Sequence, residues 1–264
     1  MRPLSAGREL APGVRVTAHL HRSRHLDVYA ADCARRRCPV VVKTVRPDRL
    51  ERADVVAGLL REGRLLRRLA HPHIARGYEV HRAPRPAIVL ETLGGETLAR
   101  LLDRRPLRAR EVAELGRQLA SALAYLHGEG IVHLDLKPSN VVADGGRAKL
   151  LDLSIAQRPG RVGAGRGTWC NMAPEQAAGG AVGAAADVWG LGTVLWEAAT
   201  GANPLDARGR RRERPAPVRS LRPRLPRPLA EAIDACLAPD AAARPPLERL
   251  QARLAACADP PRSR

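Results

Sequence analysis

From Gly13 onward, apolar and polar residues alternate: Val14 and Val16, then a run at Val28, Tyr29 and Ala30, then Val40, Val41 and Val42. A period near two predicts strands joined by tight turns, with Ala34 to Arg37 as a hairpin tip. Between Asp48 and Ala70 the period lengthens. Leu59, Leu60, Leu66 and Leu69 then fall on one side of a predicted helix. A continuous apolar run, Ala87-Ile88-Val89-Leu90, ends at Glu91 and gives way to Thr92-Leu93-Gly94-Gly95. Beyond it the chain reads as helical. Residues 97–102 and 109–127 are helices, the second with Val112, Leu115, Leu119, Leu123 and Leu126 in register. An apolar helix through Asp187 to Glu197 follows, and 229–237 and 247–256 close the chain. Residues 1–12 and 259–264 are expected to be flexible.

Within this frame one stretch concentrates chemistry: His133-Leu134-Asp135-Leu136-Lys137-Pro138-Ser139-Asn140. Asp135 can take a proton from a hydroxyl, and Lys137 can meet a negative oxygen near the same point. The Asn140 amide oxygen suits a hard cation such as Mg²⁺. Asp152 follows on a short apolar run, Lys149-Leu150-Leu151-Asp152-Leu153-Ser154. A carboxylate plus an amide suits a metal bridging phosphates, with the other carboxylate left for the hydroxyl.

Composition narrows the partners. The 264 residues suffice for one domain with a sizeable core. The formal charge of +18 comes almost wholly from arginine. These arginines are scattered through every segment, and with 2% aromatics and no Phe base stacking is poorly supported, so nucleic acid is disfavoured. The only lysines are Lys43, Lys137 and Lys149. A chain that writes its cations as Arg has kept a compact ammonium at Lys43 and Lys137. Five cysteines, Cys33, Cys38, Cys170, Cys236 and Cys257, show no repeated pairing. Cys33 and Cys38 could meet across a turn, but free thiols in a reducing cytosol are favoured. No apolar run is long enough to span a bilayer.

HLDLKPSN resembles the catalytic loop of eukaryotic-type (Hanks-type) bacterial serine/threonine protein kinases, and Asp152-Leu153-Ser154 resembles their metal-binding triplet. The resemblance implies an α+β, two-lobed protein-kinase fold over residues 13–258, with lobes at 13–91 and 92–258, using ATP and Mg²⁺. It implies Asp135 as catalytic base, Lys137 and Thr168 as its catalytic companions, and Asn140 and Asp152 as metal ligands. Val41-Val42-Lys43 resembles the strand whose lysine holds the ATP phosphates, with Glu62 as its partner. Val28, Val41 and Val142 would enclose the adenine, Leu90 would stand behind it, and the backbones of Glu91 and Leu93 would bond its edge. His71 and His73 sit in a helix-to-strand turn rather than a metal pair, and His133 braces the Asp152 segment. Asp187 would hold the catalytic-loop backbone, and Glu175 would pair with Arg244.

Several positions depart from the family pattern. His21, Ser23 and Leu26 stand where three phosphate-loop glycines are usual, leaving only Val28 in place. Glycine there lets backbone N–H groups close on phosphate. The loop's His and Arg side chains either meet the phosphates themselves or form a solvated turn. Leu134 replaces an arginine that usually receives an activation-loop phosphate, and residues 156–167 carry no hydroxyl, so switching by loop phosphorylation is not expected. Ser154 replaces a glycine, which should restrict the backbone. The Arg/Pro-rich 207–214 segment reads as a solvated connection, with a preference for acidic protein substrates as the alternative. The implied activity is transfer of the ATP γ-phosphoryl group to Ser/Thr hydroxyls. An ATP-binding scaffold with weak or no transfer is the alternative raised by the missing glycines. A small-molecule kinase of the aminoglycoside type would lack Ala173-Pro174-Glu175 and Arg244.

Overall fold

The structure is a computed structural model, and it describes residues 2–83, 85–207, 210–211 and 215–258. Of the basic 207–214 segment most residues, and all of 259–264, lie outside the described residues. The chain forms two compact units. One runs to Gly94 and takes in Asp152–Ser154; the other holds Gly95–Leu151 and the described residues from Ile155 onward.

The first unit is built on an antiparallel six-stranded sheet: β1 Glu9–Ala11, β2 Val14–Arg22, β3 Leu26–Cys33, β4 Cys38–Val45, β5 Gly77–His81 and β6 Ala87–Glu91. Their order is β1-β2-β3-β4-β6-β5. Alternation decides which side chains are shared. Val14, Val16, Tyr29, Ala31, Cys33, Val40 and Val42 pack with Leu10 and Ala11 into one core on one face. The N-terminal segment expected to be flexible is therefore tied down from Leu4 onward. The Leu4 amide donates to the Tyr29 hydroxyl at 3.0 Å. The Gly7 amide donates to Val16 O at 2.8 Å, and the Val16 amide to Arg8 O at 2.9 Å. Three residues are too few to show a period, but Leu10 and Ala11 become buried once β2 is present.

The helix α1, Ala53–Arg68, starts five residues later than the pattern suggested, because Pro47–Arg49 forms a separate 3₁₀ turn. It lies on β4, β5 and β6 and buries Leu59, Leu60, Glu62, Gly63 and Leu66. Arg67 and Arg68 in its last turn complement the helix dipole, and Pro72 stops continuation.

In the second unit, β7 Glu96–Thr97, β8 Val141–Asp144 and β9 Arg147–Leu150 form a small antiparallel sheet. The helices are α2 Leu98–Leu102, α3 Ala109–Gly128, α4 Pro174–Ala177, α5 Ala184–Thr200, α6 Arg227–Cys236 and α7 Leu247–Ala258. The Thr97 hydroxyl caps α2. α3 packs on α5, α7 and β9. α5 is apolar around its circumference, from Ala186 through Ala199, and is accordingly buried on all sides. Gly201, at φ 77°, ends it in the left-handed conformation that favours glycine.

Candidate active site

In the first unit, register aligns the nucleotide candidates. Val28 lies opposite Lys43, and Val41 opposite Leu90. Directly opposed residues share a face, as do Val41 and Lys43 two apart. Val28, Val41, Lys43 and Leu90 thus line one face of the sheet, and His21, opposite Val28, joins them. Glu91 lies opposite Val40 on the other face. Its amide donates to Arg76 O at 2.9 Å, and its carboxylate accepts from the Arg76 amide. Leu93 is half-buried just beyond the strand.

Lys43 Nζ donates to Glu62 Oε1 at 2.8 Å and stands 3.6 Å from Asp152 Oδ2. Glu62 is 1% exposed, so its pairing is what makes a buried carboxylate tolerable. Burial opposes the Lys43 charge, but the Glu62 and Asp152 carboxylates outweigh it and hold the ammonium above its usual pKa. Lys43 is therefore a fixed cation throughout the physiological range.

Asp152 adopts φ 60°, which a non-glycine holds only when its surroundings over-determine it. Its Oδ1 accepts from the Ser154 amide at 3.0 Å, closing an Asx turn. The Ser154 carbonyl in turn accepts from Arg61 Nη2 at 2.9 Å. Consecutive residues of α1 thus hold this segment twice: Glu62 through Lys43, and Arg61 directly. Ser154 is not among the residues at positive φ, so its Cβ is accommodated without strain. Arg61 was not singled out in the sequence, because a side chain aimed at a carbonyl leaves no trace in residue type.

The glycine-free loop is a tight turn at Ser23–His25. Its Ser23 hydroxyl accepts from the Leu26 amide at 3.0 Å, and Arg46 donates to the carbonyls of Ser23 and Arg24. No residue from 21 to 26 has positive φ, so the turn does not require glycine. Beneath it, Asp27 is 0% exposed. Arg22 clasps its carboxylate with bonds of 2.7 and 2.8 Å, and His19 lies 3.1 Å away. Burial works against the Asp27 charge, yet these two partners hold its pKa below the usual carboxylate range.

In the second unit, Asp135, Lys137, Asn140 and Thr168 converge. Thr168 Oγ1 donates to Asp135 Oδ1 at 2.7 Å and accepts from Lys137 Nζ at 2.7 Å. Lys137 Nζ is 2.8 Å from Asp135 Oδ2. Asn140 Nδ2 donates to the Asp135 carbonyl and to Oδ2 at 2.9 and 3.1 Å, which leaves Oδ1 as the oxygen the amide can offer. Val142 is buried on the adjoining strand β8.

The loop backbone is held by groups distant in sequence. The Asp187 carboxylate accepts from the His133 and Leu134 amides, both at 2.8 Å, and from His127 Nε2 at 2.8 Å. Leu134 sits at φ 67°. Gln176 Nε2 donates to its carbonyl at 2.7 Å and to Arg166 O at 2.8 Å, so both polar groups of the strained residue are engaged. Gly167, at φ 131°, leaves the room Gln176 needs; a Cβ there would lie 2.6 Å from its amide. His133 Nε2 is 3.2 Å from Leu151 O, next to the Asp152 segment. Gln176 and His127 were not predicted, since an amide and a half-buried His have many commoner fates.

Among the described residues no group of three or more His, Cys, Asp or Glu side chains forms a metal site. Each unit holds one candidate donor for a hard cation: the Asp152 carboxylate in the first and the Asn140 amide oxygen in the second. Asp152 is 32% exposed on its side chain, so it can take up such a cation without new desolvation of an already buried group.

A strand-built unit carrying a Lys–Glu pair beside an Asp, and a helical unit carrying an Asp-x-Lys loop, define the protein-kinase fold. The protein kinase domain model matches residues 26–253, and the chain belongs to that family. It is 34% identical over 252 residues to the serine/threonine-protein kinase PkaA of Streptomyces coelicolor, covering 89% of this chain and 46% of that protein. It is 35% identical over 228 residues to the probable serine/threonine-protein kinase PkwA of Thermomonospora curvata, covering 82% of this chain and 30% of that one. The chain therefore spans less than half the length of these two relatives. The crystal structure of the Mycobacterium tuberculosis PknI kinase domain, solved as a point mutant, matches with a TM-score of 0.79 at 25% identity, over 98% of this chain and 100% of that one. The family uses ATP with a divalent metal. No helix among the described residues is long and apolar enough to cross a membrane.

Proposed function

We propose that residues 13–258 form a serine/threonine protein kinase domain that transfers the γ-phosphoryl group of Mg-ATP to Ser or Thr hydroxyls of protein substrates in the cytoplasm. The observation that carries this reading is the Asp135–Lys137–Thr168 cluster. Asp135 is anchored at its backbone by His133 and at its carboxylate by Thr168, Lys137 and Asn140. A carboxylate so fixed orients an incoming hydroxyl and accepts its proton, while Lys137 offsets negative charge on the transferred group. Lys43, charged and held by Glu62, positions phosphate oxygens, with His21 on the same face of the sheet. The strand-built unit would offer the adenine Val28, Val41, Leu90 and the backbones of Glu91 and Leu93, and the helical unit would offer Val142. Asn140 and Asp152 would hold Mg²⁺, which supplies charge neutralisation of the phosphates. Ordering by hydrogen bonds in both halves favours phosphotransfer over a scaffold role.

The test compares ATP-dependent phosphorylation by the wild type, Asp135→Asn and Lys43→Ala, with the modified residues mapped. Expected is transfer to Ser and Thr that falls at least 100-fold in either variant (about 3 kcal/mol at 1.36 per decade). Wild type that neither transfers phosphate nor shows a Mg-ATP-dependent thermal shift overturns the reading.

A further inference from the structure

We propose that Cys33 and Cys38 are a redox modification site, closing to an intrachain disulfide when the protein meets a hydroperoxide. The two residues end β3 and begin β4, and the ladder pairs them directly, Cys33 against Cys38. Directly opposed residues of an antiparallel ladder have Cα atoms about 4.5–5.5 Å apart, inside the roughly 4.4–6.8 Å found for disulfides. They also point to the same face. Cys33 belongs to the core of the sheet, and Cys38 packs against that same core. Spacing along the chain left a disulfide, half a metal site and free thiols as options; the register brings the thiols together, and no third ligand accompanies them among the described residues.

Burial sets the order of events. Cys33 is buried and Cys38 half-buried. Both line an open depression of about 570 Å³ with Glu9, Arg15, Asp32 and Arg37, which admits a small oxidant. The Cys38 thiolate attacks one peroxide oxygen: the S–O bond forms, the O–O bond breaks, and the leaving hydroxide is protonated to water. Cys38 is then a sulfenic acid. The Cys33 sulfur, having lost its proton, attacks the Cys38 sulfur; the S–S bond forms and the S–O bond breaks, releasing a second water. Two thiols lose two electrons and one hydrogen peroxide becomes two waters. A thiol reductant reverses the bond. The buried Cys236 does not offer this chemistry: its thiol is pushed up to about 12, which keeps it protonated and inert. A bond at this point ties β3, which carries Val28, to β4, which carries Val41 and Lys43.

The experiment treats the full, reduced chain with hydrogen peroxide and digests it with trypsin without reduction. Arg35, Arg36 and Arg37 lie between the cysteines, so cleavage there separates the two cysteine peptides unless a disulfide joins them. Expected is a joined species, lighter by two hydrogens than the separate peptides, that reductant splits. The count of titratable thiols should drop by two from the five of the reduced chain. In Cys33→Ser, a sulfenic-acid probe should label Cys38, and no joined peptide should form; thermal melting of Cys33→Ser and Cys38→Ser checks that each is folded. Oxidation of Cys38 to sulfinic acid while Cys33 stays a free thiol overturns the proposal. So does a disulfide that joins two chains rather than these two residues. Either result stands apart from the phosphotransfer assay.

Discussion

Replacing Arg244 tests how the second unit is held together. Its guanidinium has five N–H groups, and all five are used. Nη1 and Nη2 reach the two oxygens of Glu175 at 2.7 and 2.9 Å. The rest donate to Ala185 O at 2.9 Å, Ala238 O at 2.9 Å and Pro239 O at 3.1 Å. The group also lies over the Trp189 ring, 4.9 Å from its centroid. The Arg244 side chain is 0% exposed and that of Glu175 20%. Arg244→Met strands a carboxylate that water can partly reach, which places the broken pair near the lower end of about 3–5 kcal/mol. Three carbonyls lose charged donors as well, each contributing about 1.5–3 kcal/mol. The total exceeds about 5 kcal/mol, a large part of a typical domain's stability. Glu175→Gln behaves differently. Three carbonyl dipoles and one amide oxygen still face the cation, so the loss is about 2–3 kcal/mol. Arg244→Lys keeps the charge but only three donors and falls between. Urea denaturation followed by circular dichroism, with slopes checked for constancy, gives each value and the coupling in the double variant. Equal costs for Arg244→Met and Glu175→Gln would refute the reasoning, because the three carbonyl bonds would then contribute nothing.

Gly63→Ala places a Cβ 2.3 Å from Ile88 Cγ2 and 2.8 Å from Val80 Cγ2; overpacking should cost about 1–3 kcal/mol and, by lifting α1 and Glu62 off the sheet, reduce phosphotransfer more than the lowered melting temperature alone explains. Glu111, gripped by Arg105 and also accepting from the Arg108 amide, is held down to about 2. Its stabilising contribution is complete above its unfolded value near 4.5 and is lost as pH falls toward 2, so Glu111→Gln should flatten the urea midpoint between those pH values and leave no further pH dependence from this site. Arg61→Ala frees the Ser154 carbonyl: hydrogen exchange at residues 152–154 should quicken and the Mg²⁺ concentration for half-maximal thermal shift with a non-hydrolysable ATP analogue should rise several-fold, whereas unchanged exchange would show that Arg61 does not position the segment.

What could be read from the amino acids alone is what chemistry is local or carried by a recognisable string. Asp135, Lys137 and Asn140 lie within one short loop, so their convergence needs no knowledge of the fold. The strands around Val28 and Val42 and the helix α3 follow from apolar periodicity, because burial on one face imposes the period, whereas α5 shows as an apolar run because it is buried all round. Lys43 with Glu62, and Glu175 with Arg244 across 69 positions, were legible only through resemblance to the kinase pattern. Other features needed the tertiary structure. The strand at Leu10 is too short to show a period and exists because β2 offers it a partner. The clasp of Arg22 and His19 on a buried Asp27, the grip of Arg61 on the Ser154 carbonyl and the Gln176 bond to Leu134 depend on where backbone groups and strand register fall. Residue type records what a side chain can do; which group it meets across the chain is settled only when packing fixes register and buries the alternatives.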